Sequence, residues 1–398
     1  MRKLLFLLLV LLLLPKEVNS ATLKKVEDLS LDTSIISEQL TYTTPDSIIV
    51  APIFAPRELN ISPIERYRGI FHYLIDRLGY NDLPFHYVVT PEGELIEGNT
   101  HGDEAKVVID NFDKNPVVVA YIANQYSNQF DDRSMQNLKE LVSSIANTNS
   151  INENNIFVKE IVFTRKRDTR TVSIKIKDLF GTWNSQADEI KLFVASNFSP
   201  ESKPYSVEVT SVQVPQQTLT PGEIVNVSIT VKNTGDYGLY AFTNSELFLT
   251  KSDETPSKFY VNNEWESRSQ VSIFKENENL LPGEEKTFVV PIFVPLNLGE
   301  VKETFKFKTA IGSLVNSNEF EIKINVGESD KKIVEVRDRG FSYYPVYSNP
   351  NNATNEIYRA VAGERFFFLQ DLGNGWYQID LGNGQTGWIA FWNVSFIN

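Results

Sequence analysis

Residues 62–89 read SPIERYRGIFHYLIDRLGYNDLPFHYVV, and they set the architecture of the N-terminal half. Apolar side chains recur every three or four positions in the first part of this stretch, which predicts an amphipathic helix with one buried face: Ile64, Tyr67, Phe71, Leu74, Ile75 and Leu78. Ser62 is a suitable N-cap for that helix, and Gly79 is a suitable C-terminal stop. A short apolar strand follows at 85–89, and the turn at 91–94 leads to a second strand at Leu95 and Ile96.

Strand and helix patterns also alternate on both sides of this stretch. Apolar runs at 48–50, 117–122 and 157–163 predict strands, and 134–146 predicts a second helix. Such alternation is typical of an α/β domain with a mixed sheet, which we assign to residues 47–196.

The C-terminal half carries strand patterns only. Residues 204–327 alternate apolar and polar positions, and two Leu-x-Pro-Gly-Glu turns, at 219–223 and 280–284, each open an apolar strand. This pattern predicts an immunoglobulin-like β-sandwich. Residues 331–398 contain short strands between Asn-rich and Gly-rich turns, which predicts a small β-barrel. The expected fold class is therefore multidomain: an α/β domain, a sandwich and a barrel.

The first twenty residues predict export. Arg2 and Lys3 precede eleven consecutive apolar residues at 4–14, and Val18 and Ser20 provide the small-residue pattern for cleavage before Ala21. Eleven helical residues at about 1.5 Å each do not cross a hydrocarbon core of about 30 Å, so we expect no integral membrane span. Residues 1–20 are thus a predicted signal peptide, and 21–46 a predicted N-terminal extension. The expected location is the periplasm, the cell wall or the extracellular space.

Composition excludes one class of partner and favours a bacterial source. The chain has no cysteine, so it has neither a disulfide framework nor a lipid-anchor cysteine. Its formal net charge is −13, and removal of residues 1–20 makes the balance more negative. A nucleic-acid partner is not expected, because such proteins need a basic face.

The C-terminal module resembles the bacterial SH3-like domain of cell-wall proteins. Gly375 to Ile379, the turn Gly382 to Gly384 and Gly387 to Ile389 match that family's Gly-Trp strand, Gly turn and second Gly-Trp strand. The segment Tyr344 to Pro350 stands where the family has Leu-Asn-Val-Arg-Ser-Gly-Pro. This resemblance implies binding to peptidoglycan cross-bridges or stem peptides, or a purely structural appendage. We expect Trp376 and Trp388 to be core and edge residues of the barrel, and Trp392 to line a shallow groove.

The N-terminal module resembles the zinc N-acetylmuramoyl-L-alanine amidase and peptidoglycan recognition superfamily. Tyr67 to His72 and Leu78 to Val89 follow the family's helix ending in Tyr-His and its Gly-Trp-x-Asp-Ile-x-Tyr-His-Phe-x-Ile segment. Pro91 to Gly98 follows the family's hairpin, and Asn111 with the strand 117–124 follows its Asn and apolar strand. The resemblance implies hydrolysis of the bond between muramic acid and the stem peptide by a zinc-bound water.

The residues that this chemistry needs are missing from the sequence. The first zinc ligand belongs in a His-His-Thr-like segment, where the chain has Val50 to Phe54. The second belongs after the strand 157–163, where the chain has Thr164 to Asp168, and the family's catalytic tyrosine is replaced by Phe85. We therefore expect no zinc and no other cofactor, and no catalytic or metal-binding residue.

The favoured function is peptidoglycan or stem-peptide binding without hydrolysis, through the amidase-like and SH3-like domains. The candidate ligand-binding residues are Phe85, His86, His101, Glu104, Asn111, Arg165 and Trp392. The three histidines at 72, 86 and 101 are read as structural residues rather than as an unrelated metal site, and the cationic loop after Arg165 as either a solvated loop or a contact for stem-peptide carboxylates. An active amidase is the alternative, and a surface scaffold or adhesin without a glycan ligand is the second alternative. Oligomeric state is left open.

Overall fold

The computed structural model describes residues 22–32, 34, 36, 41–55, 61–80, 82–99, 101–124, 132–165, 172–179, 182–200, 202–311, 315–317, 319–350, 355–382 and 384–397. The predicted signal peptide, residues 1–20, lies outside these ranges. The chain forms two compact units, Met1–Lys203 and Pro204–Asn398. None of the described helices is long and apolar enough to cross a membrane.

The first unit contains the predicted α/β fold with a mixed sheet. Its strands are β1 (Leu23–Lys24), β2 (Ser47–Ala55), β3 (Tyr87–Val89), β4 (Leu95–Glu97), β5 (Pro116–Asn124), β6 (Ile156–Arg165) and β7 (Val172–Asp178), and its α-helices are α1 (Pro63–His72), α2 (Asp132–Thr148) and α3 (Thr182–Ser196). The sheet order is β1-β4-β3-β5-β2-β6-β7. Strand β2 runs parallel to β5 and β6, whereas the hairpins β3–β4 and β6–β7 are antiparallel. Strand β1 pairs with β4, so part of the segment predicted as an extension belongs to this sheet.

Helix α1 begins where its sequence predicts. The Glu65 backbone N–H donates to Ser62 Oγ at 3.3 Å, and the Ser62 N–H donates to Glu65 Oε2 at 3.0 Å, which forms a capping box. The helix continues as a π-helical turn, Tyr73–Arg77, and ends at Gly79, whose φ of +80° is the left-handed conformation that stops helices.

Helices cover both faces of the sheet and create two cores. Tyr67, Phe71 and Leu74 of α1 pack with one face of the sheet, together with Leu29 from the N-terminal segment. Helices α2 and α3 cover the opposite face, where they bury Ile48, Val50 and Val119 among others. The residues of β2 alternate between these cores, which is the expected pattern for a strand buried on both faces.

The second unit begins with two antiparallel sheets around one core. The strands are β8 (Val207–Gln213), β9 (Ile224–Asn233), β10 (Leu239–Tyr240), β11 (Leu247–Lys251), β12 (Gln270–Ser272), β13 (Asn279–Leu280), β14 (Glu285–Phe293), β15 (Gly299–Thr309) and β16 (Phe320–Val326). The main sheets have the orders β12-β11-β15-β16 and β14-β9-β8, with a short β10-β13 ribbon. Their inward residues share a single apolar cluster that includes Val227, Leu249 and Phe305. The immunoglobulin-like topology predicted for this region stays a prediction.

The C-terminal module forms a seven-stranded sheet. Its strands are β17 (Ile333–Val336), β18 (Tyr344–Tyr347), β19 (Glu356–Ala360), β20 (Arg365–Asp371), β21 (Trp376–Gly382), β22 (Gln385–Ala390) and β23 (Val394–Phe396), in the order β19-β18-β22-β21-β20-β17-β23. Within the same unit this module packs on the two-sheet region through Leu296, Ile333 and Phe367. Arg365 Nη1 also donates to the Leu296 carbonyl at 3.3 Å.

Candidate functional site

The α1-facing side of the sheet, where the amidase resemblance implies a zinc site, is apolar in this protein. Phe85 is 0% exposed and packs edge-to-face on Phe163, with 5.7 Å between the ring centroids. Tyr80 packs on the other side of Phe163 at 5.8 Å. Ala51 and Ile161 belong to the same cluster. We call this group the aromatic floor. Phe85 is buried within it, and the ligand-binding role of that residue stays a prediction.

Zinc does not fit this floor. Zinc needs nitrogen, sulfur or carboxylate ligands, and the side chains of Ala51, Ile53, Phe85 and Phe163 carry none of these atoms. Among the described residues, no group of three or more His, Cys, Asp or Glu side chains could hold a metal ion. The side chains of residues 54 and 164–165, and the loop after Arg165, lie outside the described part. No catalytic step is therefore derived through a metal.

His86 has a structural role in the first unit. It is 2% exposed, and its ring bridges two backbone groups. The Val118 N–H donates to Nδ1 at 2.8 Å, so the ring proton sits on Nε2, which donates to the Ala105 carbonyl at 2.9 Å. Burial lowers the pKa of His86 and keeps the ring neutral. Both ring nitrogens are committed to the fold in this conformation, and the ligand contact predicted for His86 stays a prediction.

The other two histidines have different partners, so the structure does not bring the three together. His101 lies 3.4 Å from Asp82, measured from Nδ1 to Oδ2, and stays partly exposed beside the Tyr42 ring. His72 pairs with Asp76 one helical turn away, at 2.9 Å on the exposed side of α1. These pairings support the prediction that the histidines are structural residues.

Glu104 is also held inside the first unit. Its Oε1 accepts from Lys203 Nζ at 2.8 Å, and both side chains are largely buried. Burial raises the pKa of Glu104, and Lys203 opposes that rise. Lys203 donates as well to Asn149 Oδ1 at 3.2 Å, while Asn149 donates to Asp103 Oδ2 at 2.7 Å. The carboxylate predicted to bind a ligand therefore fixes the last residue of this unit.

Two predicted site residues, Asn111 and Trp392, are exposed, and a third, Arg165, is described in its backbone only. Asn111 is exposed in a turn, where its φ of +59° is a conformation that asparagine tolerates. Arg165 ends β6 and pairs through its backbone with Val172, and its side chain lies outside the described part. Trp392 is 47% exposed and packs edge-on against Phe391 at 5.3 Å.

The C-terminal module holds functional candidates that sequence reasoning missed. Its core contains Val346, Ile379 and Ile389, so the alternating neighbours of these residues face outward. Trp388 is therefore on the outer face, directly paired with Tyr347 and with Gln378. Trp376 shares that face and is partly exposed, whereas Trp388 is only 9% exposed, so their predicted roles as core and edge residues of the barrel stay a prediction. The sequence of β21 indicates this orientation, because Trp376 and Gln378 are two positions apart and the core residue Ile379 has the opposite parity along the strand.

Known proteins resemble the two ends of the chain. Peptidoglycan recognition proteins align with the N-terminal part. Drosophila peptidoglycan recognition protein SA is 15% identical, and the alignment covers 35% of this chain and 80% of that chain at a TM-score of 0.30. For Manduca sexta peptidoglycan recognition protein 1 the identity is 17%, with 34% and 78% covered at a TM-score of 0.29. No curated protein sequence matches the chain. Residues 344–395 match the family model described as Bacterial SH3 domain, which confirms the resemblance predicted for the C-terminal module.

Proposed function

We propose that this is an exported cell-envelope protein that binds peptidoglycan without cleaving it. The observation that carries the proposal is the match of residues 344–395 to bacterial SH3 domains, a family whose resemblance implies wall binding. The aromatic floor supports the proposal that the protein does not cleave peptidoglycan. A hydrolase of the amidase type must activate water, and the apolar side chains around Phe85 can neither bind a metal nor accept a proton.

In this proposal the C-terminal module makes the principal wall contact. The first unit contributes through surface residues such as Asn111 and His101, because Phe85, His86 and Glu104 are buried. A second, weaker contact on the same chain would raise the overall affinity through effective concentration. The protein needs neither zinc nor another cofactor for this role.

A surface scaffold without a glycan ligand is a second candidate, and one observation favours it. Phe85 is fully buried against Phe163, so this side chain offers no surface to a ligand in the first unit. If the C-terminal module were only an appendage, the whole chain would then be structural. The two candidates differ in a single measurable property, which is binding to the wall.

The test is co-sedimentation of residues 21–398 with purified sacculi, with added zinc or with a chelator, and with analysis of released muropeptides. We expect binding that is independent of zinc and no release of stem peptides. Zinc-dependent release would identify an amidase and refute the proposal. Absence of binding under all conditions would leave the scaffold.

A further inference from the structure

The outer face of three neighbouring strands in the C-terminal module combines aromatic rings with amide groups. Strands β18, β22 and β21 lie side by side, and direct pairing places Tyr347, Trp388 and Gln378 on the same face. Trp376 lies two positions before Gln378 and shares the face. Its ring meets that of Tyr347 edge-on, with centroids 5.6 Å apart and planes at 82°. The rings of Tyr347 and Trp376 are therefore held in place by each other while both remain partly exposed.

A row of polar side chains runs beside these rings. Gln370 Nε2 donates to Gln378 Oε1 at 2.9 Å, and Gln378 Nε2 donates to Thr386 Oγ1 at 3.1 Å. A glutamine amide offers two N–H donors and two acceptor lone pairs, so each glutamine keeps hydrogen-bonding capacity beyond these contacts. Gln370 and Thr386 are exposed. We call Tyr347, Trp376, Trp388, Gln370, Gln378 and Thr386 the aromatic–amide face.

Two charged residues at the margins of this face have partners within the module. On β19, Arg359 pairs with Glu356 through Nε and Oε1 at 2.6 Å. On β21, Asp380 accepts the Gly382 N–H at 2.8 Å. None of the six residues of the face is charged. A polyanion would need lysines or arginines here, and a purely apolar partner would leave the amide row without hydrogen bonds. The face suits a neutral ligand with apolar ring faces and polar edges.

We propose that the aromatic–amide face binds the glycan strand of peptidoglycan, that is, a chain of N-acetylated hexopyranoses. The C–H faces of the sugar rings would pack on Trp376 and Tyr347, and the acetamido and hydroxyl groups would bond to Gln370, Gln378 and Thr386. This inference rests on the proposed function and deepens it, because it assigns the sugar backbone rather than the peptide to the C-terminal module.

The test uses two neutral probes in calorimetric titrations of residues 21–398: chitohexaose, a hexamer of N-acetylglucosamine, and peptide-free glycan strands whose lactyl carboxylates have been amidated. We expect Trp376→Ala to weaken binding of both probes at least tenfold, and Gln378→Ala to weaken it threefold to tenfold. Phe341→Ala is the matched control, because Phe341 is an aromatic residue of the same module that is 68% exposed and lies outside the face. This control should bind within twofold of the parent protein. Trp376→Phe keeps an aromatic ring and should retain most of the affinity, which separates lost stacking from lost folding.

The outcomes for this inference and for the proposed function are distinguishable. Binding to intact sacculi without binding to either sugar probe would overturn the glycan assignment and leave wall binding intact. Equal loss of affinity in Trp376→Ala and Phe341→Ala would also overturn it. Binding to the sugar probes with the expected loss in Trp376→Ala supports the assignment, whatever the behaviour of intact sacculi.

Discussion

Replacement of His86 by alanine tests whether this histidine serves the fold or a ligand. The side chain accepts one buried N–H, from Val118, and donates to one buried carbonyl, that of Ala105. Each buried group left without a partner costs about 1–3 kcal/mol, so we expect His86→Ala to destabilise the first unit by about 4 kcal/mol. His72→Ala is the matched control. Its side chain is exposed, pairs with Asp76 and packs edge-on against Phe71, so we expect a change of only about 0.5 kcal/mol.

Hydrogen exchange measured by mass spectrometry reports this loss locally. Peptides that cover β3 and β5 should exchange about a thousandfold faster in His86→Ala, since 1.4 kcal/mol corresponds to a factor of ten. Peptides from the second unit should not change. If His86→Ala behaves like His72→Ala, the reasoning that makes His86 structural is refuted, and a ligand-binding role returns.

The burial of His86 also predicts that the free energy of unfolding depends on pH. Burial lowers the pKa of His86 below its ordinary value of 6.5 in the folded protein, so the unfolded chain binds a proton that the folded chain does not. The stabilisation is therefore present above pH 6.5 and is lost as the pH falls, by up to about 1.4 kcal/mol per pH unit. A His86→Gln variant should lack this part of the slope. An unchanged difference between pH 7.5 and pH 5.5 would contradict the assignment.

Two further predictions concern single positions. Gly222→Ala should destabilise the second unit more than the matched change Gly283→Ala, although both glycines have positive φ. A Cβ built at Gly222 would lie 2.3 Å from the Phe367 ring, whereas a Cβ built at Gly283 would have no neighbouring atom within 4 Å. Thermal unfolding should show the larger shift for Gly222→Ala, and equal shifts would contradict the packing described. Lys203→Ala should cost about 3 kcal/mol, because it leaves the buried Glu104 carboxylate unpaired, and a Glu104→Gln background should reduce that cost in a double-mutant cycle. Burial raises the pKa of Glu104 above its ordinary value of 4.5, so the folded protein holds this proton more tightly than the unfolded chain does. The contribution of Glu104 to the free energy of unfolding is therefore complete below pH 4.5 and falls as the pH rises through the raised pKa. Glu104→Gln should abolish this dependence on pH.

Local patterns in the sequence were sufficient for much of the first unit. The capping box at Ser62, the hairpin turn at 91–94 and the apolar stripe of α1 depend on residues within a few positions of one another. Strand β7 and helix α3 were not predicted, although Val172, Ile174 and Ile176 alternate as a strand should. The roles of His86 and Glu104 could not be predicted, because their partners are 32 and 99 residues away.

The strands and Gly turns of the C-terminal module were identified from sequence, and the bacterial SH3 match confirms the resemblance. The sequence analysis did not assign the two tryptophans to a face of the sheet. Trp388 is only 9% exposed, yet it lies outside the cluster that contains Val346, Ile379 and Ile389. The inner positions of β21 and β22 are filled by Ile379 and Ile389, and the alternation of a strand then forces Trp376 and Trp388 to the other face.

The polar groups discussed above have different partners in the first unit and in the C-terminal module. In the first unit, groups that looked functional are used inside the fold: the two ring nitrogens of His86 bond to backbone, and Glu104 bonds to Lys203. A buried polar group with its partners satisfied stabilises one conformation and offers nothing to a ligand. In the C-terminal module, Gln370 is exposed and Gln378 partly exposed, and both keep hydrogen-bonding capacity beside the partly exposed rings of Tyr347 and Trp376. Function resides in sites rather than in folds, so the proposed recognition of a wall ligand belongs on this outer face more than on the aromatic floor of the first unit.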